Sequence, residues 1–397
     1  MNSSLKLFLE IAGSKYVFFV CEIDQHNNCK IVYKLEIPLK GIKNCSVSDF
    51  EIAFKTIKES IFEIEQNLNK TFKEIILILE NYNSSFINIT GYKKLNSSQI
   101  LRENITYILN SLKSYVGETE QNKSILHIFN SKFQLDRKKI DNLPIGLFGD
   151  FYSRELSFIL INSNDYKNLN NIFEKCNLKI KKVLTKSFIK GANISNNYKN
   201  TESFFHIKVT NDNSKIFYFE NNSLKSEEFF KFGTDIIMRD ISKITALKIE
   251  TVKLILGKIK FEENVSEDEL IDKEFLNKEI NNKVKKKLIY DIILARLEEI
   301  AELVIFNNIN FNYYNKNSRV IFLEIDSTLN LNGIKEIFKK VFSRNGVFEL
   351  KEINDLSNDS MISTINQLVH FGWKKEAIPV TLSKKSIIAR FFEAIFG

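Results

Sequence analysis

Two turns in this sequence carry residue types that could hold a phosphate. In the stretch Lys231–Gly257, Gly233 stands between a strand-like run, Lys215–Phe219, and a helix-like run, Asp235–Ile244. A glycine at the mouth of a helix lets backbone N–H groups approach an anion, which the helix dipole also favours. On the next helix, which stops at Gly257, Glu250 and Lys253 stand three apart and could face a ligand or simply pair with each other. Near the start of the chain, Ala12-Gly13-Ser14-Lys15 joins two apolar runs, Leu5–Ile11 and Tyr16–Glu22, and Glu10 lies near the end of the first. That turn suits a plain hairpin and a phosphate loop equally. Strand–Gly–helix spacing also describes an ordinary packed helical hairpin.

Other chemistry is harder to find. Cys21, Cys29, Cys45 and Cys176 lack metal-ligand spacing, and His26 beside Cys29 does not complete a site. No metal site is assigned, and the cysteines read as free thiols of a reducing cytosol. His127 lies on an apolar strand, where a histidine is usually a core or edge residue, so no catalytic role is given to it. The net charge of +8 is spread along a chain rich in Lys, Asn, Ile and Phe. Only Lys283–Lys287, interrupted by Val284, forms a basic block, and it suits a solvated helix face. Nucleic acid is therefore not expected as a partner. With no basic-then-apolar leader and no apolar run of about 18 residues, a cytoplasmic chain is expected.

The elements that must position these groups follow an α/β rhythm. Asp49–Asn69 reads as an amphipathic helix, with Ile52, Phe54, Ile57, Ile61, Phe62 and Ile64 on its buried side. Glu74–Leu79 is a buried strand, Phe86–Ile89 a strand, Ser97–Ser111 a helix and Ser124–Asp136 a strand. Asn164–Cys176 is a helix and Leu178–Leu184 a strand of parallel-sheet type, with the rhythm continuing through Ser187–Asn193. Strands Ser203–Val209 and Arg319–Ile325 and helices Ile334–Phe342 and Met361–His370 complete the body. Lys374–Ser383, with Pro379, reads as a linker. In the last residues, Ile387, Phe391 and Ile395 recur four apart, as do Ile388, Phe392 and Phe396. They form a wide apolar stripe, with Lys384, Lys385 and Arg390 on the polar side. Such a helix must cover its stripe with the body, a partner or a membrane surface.

The pattern Gly233–x6–Asp240–Ile241–x8–Glu250–x2–Lys253–x3–Gly257 resembles the equivalent segment of FtsA, the actin-like bacterial cell division family. The likeness spans essentially the whole chain. It includes Glu10, Gly13, Ser14 and Lys15 of the first turn, Pro144-Ile145-Gly146-Leu147-Phe148-Gly149, Arg296-Leu297-Glu298-Glu299 and the amphipathic tail. The resemblance implies a two-lobed actin-like ATPase (ribonuclease H-like) fold with a relocated small subdomain. The expected divisions are 1–83, 163–200 and 357–372 in the first lobe and 84–162 as the inserted subdomain. The second lobe is expected over 201–232, 233–314 (its small helical part) and 315–356, with a linker at 373–385 and a membrane helix at 386–397.

The resemblance implies ATP and Mg²⁺ as cofactors, with Gly13, Ser14, Lys15, Gly233, Glu250, Lys253 and Arg296 at the nucleotide. Five positions in two turns depart from the family pattern. Ala12 stands where a glycine belongs, His206 where an Asp would hold Mg²⁺, and Lys208, with Val209 and Thr210, where glycines would approach phosphate. An imidazole is a poor ligand for a hard oxygen-seeking ion, and side chains crowd a phosphate turn. The turn Glu324-Ile325-Asp326-Ser327 likewise lacks the family's glycines. The expectation is therefore weak or lost ATP binding, little or no hydrolysis and no catalytic residues. By resemblance the chain would tether FtsZ, through its C-terminal tail, to anionic lipid of the inner membrane at the division site. It would self-associate and meet other division proteins. The alternatives are a functional actin-like ATPase, or an actin-like adaptor of type IV pilus assembly.

Overall fold

In the computed structural model, residues 4–43, 46–80, 82–261, 264, 266–276, 283–314, 318–325, 333–344 and 348–377 are described. The expected membrane helix and the ligand-facing turn from Asp326 lie outside them. So do Lys384, Lys385, Ile387, Ile388, Arg390, Phe391, Phe392, Ile395 and Phe396.

The first lobe is built on a five-stranded sheet of β1 (Ser4–Ile11), β2 (Lys15–Ile23), β3 (Cys29–Pro38), β6 (Glu74–Leu79) and β11 (Lys179–Thr185), in the order β11-β6-β1-β2-β3. A two-stranded ribbon, β4 (Ile42–Lys43) and β5 (Ser46–Val47), lies between β3 and helix α1 (Phe50–Leu68). Strand periodicity divides β1 between two faces. Leu7, Leu9 and Ile11 pack with α1 and α3 (Ser163–Lys175). Phe8 packs on the other side with α4 (Lys186–Asn197) and α10 (Asn358–His370). Glu10 shares the face of Phe8, so the alternation directs its carboxylate towards α4.

The second lobe repeats the plan with β12 (Phe204–Val209), β13 (Ser214–Glu220), β14 (Ser223–Phe230), β15 (Val320–Ile325) and β16 (Glu349–Glu352), ordered β14-β13-β12-β15-β16. Phe205, Ile207, Val209, Ile321 and Leu323 pack with α5 (Asp235–Thr245), α6 (Ile249–Lys258), α7 (Lys286–Ala301) and α9 (Ile334–Phe342). The opposite face carries Phe204, Phe217, Phe219 and Phe322, which join α4 and α10 in the same core as Phe8. His206 and Lys208 continue that face on β12, and Glu324 continues it on β15, where the register pairs Lys208 with Glu324. A wide helical turn (Glu302–Phe306) and the short α8 (Ile309–Tyr314) follow α7.

The inserted subdomain is a four-stranded sheet, β7 (Ser85–Gln99), β10 (Phe148–Asn162), β8 (Lys123–Leu135) and β9 (Lys138–Ile140), in the order β7-β10-β8-β9. Helix α2 (Arg102–Thr119) covers it through Ile105, Ile108, Leu109, Leu112 and Val116.

Three sequence expectations change. On α1 the buried stripe is Ala53, Ile57, Ile61 and Ile64, while Ile52 and Phe62 are 47% and 62% exposed. The sheet admits a narrower stripe than their hydrophobicity suggested. Residues 97–99 belong to β7, and the helix begins only at Arg102, because β10 extends the pairing to Gln99. Residues 373–377, at the head of the stretch read as a linker, pack against β8, with Ala377 buried.

Candidate functional site

The strand ends of the two lobes meet over the N-terminal half of α4. That helix is packed by Phe188, Ile189, Ala192 and Ile194, and Thr185 caps it by accepting from the Phe188 amide. Two lysines interrupt its apolar surface, one turn apart. Lys186 Nζ lies 2.6 Å from Glu10 of β1 and 3.0 Å from Glu80, just beyond β6. Lys190 Nζ lies 2.6 Å from Glu324 of β15 and 3.5 Å from Asp355, and donates to Asn354 O at 2.9 Å. Thus Lys186 binds the first lobe and Lys190 binds the second.

Glu324 is the centre of the second set. Lys208 reaches it at 2.8 Å and Asp355 at 2.9 Å, and His206 Nε2 is 3.1 Å from its other oxygen. Burial alone would raise the Glu324 pKa, but His206, Lys208 and Lys190 hold it far below the usual carboxylate range. Burial pushes His206 below its ordinary value and leaves it a neutral ring at neutral pH. Burial works against the charges of Lys186 and Lys208 too, yet their carboxylate neighbours hold both above the ordinary lysine value. With His206 neutral, Lys190 and Lys208 balance Glu324 and Asp355, so the set compensates its own charge.

The first turn folds tightly, with Ala12 N donating to Lys15 O at 3.0 Å. Ala12 is buried, Gly13 and Ser14 are exposed, and Lys15 turns to Glu36 of β3 at 2.6 Å. Gly233 meets the protein's own chain: a β-carbon there would lie 2.3 Å from Thr210 O. The first amides of α5 are taken as well, Thr234 N by Thr210 O at 3.0 Å and Asp235 N by Asn211 O at 2.7 Å. The helix N-terminus that could have received a phosphate therefore binds two backbone carbonyls. Glu250 and Lys253 are exposed on α6. Arg296 on α7 donates to Asp240 at 2.6 Å and also pairs with Glu299.

Two cavities open at this junction. One, of about 720 Å³, is lined by Ala12, Gly13, Glu80, Asp212, Asn213 and Lys231 among others. The other, of about 140 Å³, is lined by Lys186, Lys190, His206, Lys208, Glu324 and Asp355. Glu250, Lys253 and Arg296 line neither. A Mg²⁺-nucleotide needs free carboxylate oxygens for the ion and free amides for the phosphates. Here the buried carboxylates are bound by lysine, and the α5 amides are spent on carbonyls. The residues present do not fit Mg-ATP in the arrangement its family pattern requires.

Sequence reasoning found His206, Lys208 and Glu10 but missed Lys186, Lys190, Glu80 and Asp355 as members of the site. The signal for two of them was present. Lysines four apart on a helix otherwise made of Phe, Ile and Ala at inward positions must find buried partners.

No protein-family model matches the chain. Among curated proteins it is similar to cell division protein FtsA of Buchnera aphidicola subsp. Schizaphis graminum, 21% identical, covering 99% of this chain and 97% of that protein. The FtsA of Neisseria meningitidis serogroup B is 19% identical over 93% of this chain and 90% of that one. That of Bacillus subtilis is 23% identical over 76% and 69%. Among solved structures, the "PilM-PilN type IV pilus biogenesis complex" aligns with a TM-score of 0.52 at 9% identity, covering 92% of this chain and 95% of that chain, a likeness of fold alone. The fold is that of the actin-like ATPases, and along most of its length the chain is similar to FtsA proteins, as a divergent relative would be.

Proposed function

We propose that this chain is an actin-like cell division protein that tethers FtsZ to the inner face of the cytoplasmic membrane, self-associates, and works with its ATP site weakened or lost. The observation that carries the reading is the match to FtsA proteins along nearly the whole of both chains. The loss of nucleotide chemistry rests on the compensated set around Glu324 and on the α5 amides already bound by Thr210 and Asn211. Membrane attachment is assigned to the stripe of Ile387, Ile388, Phe391, Phe392, Ile395 and Phe396, with Lys384, Lys385 and Arg390 beside it.

Vesicles containing phosphatidylglycerol test the tether directly. FtsZ should sediment with them only when this protein is added, and FtsZ left in the supernatant refutes the proposal. The doubly substituted Phe391→Glu, Phe392→Glu protein should stay soluble with its body folded. Calorimetry with Mg-ATP tests the rest. Negligible heat is expected, and tight binding lost on chelation would restore the ATPase reading, for which the cavity beside Gly13 leaves room.

A further inference from the structure

Residues 373–377 follow the closing helix α10 and lie along an edge of β8 that β9 leaves open. Asn130 N donates to Lys375 O at 2.6 Å and Ala377 N donates to Ile128 O at 2.7 Å, so Phe129 and Glu376 form an antiparallel bridge. Trp373 Nε1 donates to Asn222 O, in the β13–β14 turn of the second lobe, at 2.7 Å. Glu376 holds two further pieces, Lys182 of β11 at 2.9 Å and His127 Nδ1 of β8 at 3.2 Å. Five residues thus join the inserted subdomain to both lobes.

Behind this strap lies one side chain of α4. The Phe188 ring is 4.8 Å from Phe129, 5.0 Å from His127 and 6.0 Å from Trp373, centroid to centroid. Phe188 sits between Lys186 and Lys190 in the chain. We propose that the strap, residues 373–377, couples the inserted subdomain to the interlobe ion-pair set, with Phe188 as the part both share. Packed interiors have few discrete arrangements and little slack. Lifting the strap takes away one wall of the Phe188 pocket, and α4 must repack. Contacts of 2.6 Å from Lys186 to Glu10 and from Lys190 to Glu324 tolerate little of that movement. Coupling of this kind is reciprocal, so loosening the ion pairs must loosen the strap. The inference stands independently of the division role.

Hydrogen exchange on the full-length protein tests it. Ala377→Pro removes one bridging donor without touching α4, and Glu376→Gln is a gentler change that keeps the shape. Both should raise exchange around residues 128–130 and also along α4, by about tenfold or more for Ala377→Pro. Lys190→Met should in turn raise exchange at the Asn130 amide. If Ala377→Pro exposes every amide, Glu376→Gln decides. Faster exchange confined to β8 and the strap, with α4 unchanged, overturns the coupling. So does an Asn130 amide that is indifferent to Lys190→Met.

Discussion

Replacing Glu324 by glutamine should destabilise the protein more than any other isosteric change at the lobe junction. The carboxylate is 2% exposed and faces two ammonium groups, at 2.6 Å and 2.8 Å, as well as His206. Glutamine preserves the volume and a hydrogen bond to His206 but leaves Asp355 as the only carboxylate for Lys190 and Lys208 in this set. Breaking a buried ion pair from one side costs about 3–5 kcal/mol. Because Asp355 stays 2.9 Å from Lys208 and 3.5 Å from Lys190, the lower end applies, a loss of about 3 kcal/mol, or roughly a hundredfold in the local folding equilibrium. Trp373, the single tryptophan, is buried beside Phe188 and reports the transition during urea unfolding. Replacing the pair together, Glu324→Leu with Lys190→Met, should recover much of the loss, since an apolar pair of similar volume removes both buried charges. A Glu324→Gln protein within about 0.5 kcal/mol of wild type would show that this carboxylate is solvated and that the lobes do not close on it.

Acid should weaken the fold in two stages. Burial holds His127 and His206 below the ordinary 6.5, so the unfolded chain takes up their protons first and stability declines as pH falls through that value. Glu324 and Glu376, kept below the ordinary 4.5 by their cationic and histidine partners despite burial, add a second loss below that pH. A urea midpoint that rises between pH 7 and pH 5 contradicts this. Gly233→Ala should cost about 1–3 kcal/mol by forcing the Thr210 carbonyl away from α5, read as a lower unfolding midpoint without any change in nucleotide affinity. On α1, Phe62→Ser should be neutral within about 0.5 kcal/mol, whereas Ile57→Ala should cost about 2–5 kcal/mol, as chemical denaturation can verify.

The order of strands and helices was largely legible because most elements bury one face and declare it by period. Helix α9 runs over the residues its pattern specified, and β1, β6, β11 and β12 fall within a residue or two. Strand β3 alternates half-buried and exposed positions along all ten residues and was readable by the same rule, though it remained unassigned. Strands β10 and β14 were harder, since their polar residues, among them Arg154, Glu155 and Lys225, find partners only across the fold. The site divides in the same way. That His206 and Lys208 spoil a magnesium site follows from their types alone. That Lys190 and Lys208 balance Glu324 and Asp355 requires four distant segments to be placed together.

The two longest strands give the inserted subdomain a mechanical character. β7 and β10 each run for 15 residues and pair from Ser85–Leu160 at the base to Gln99–Phe148 at the tip. At about 3.3 Å per residue over the twelve steps of β10, with β7 bulged between Lys94 and Ser98, this ladder is about 40 Å long. Its base adjoins the strap and α3, and beyond its far end stand the exposed side chains of Leu143, Ile145, Leu147 and Phe148. A lever of that length turns a rotation of about 5° at the base into a sweep of about 3.5 Å at the tip. A movement too small to disturb the core at one end is then large enough to engage or release a contact at the other.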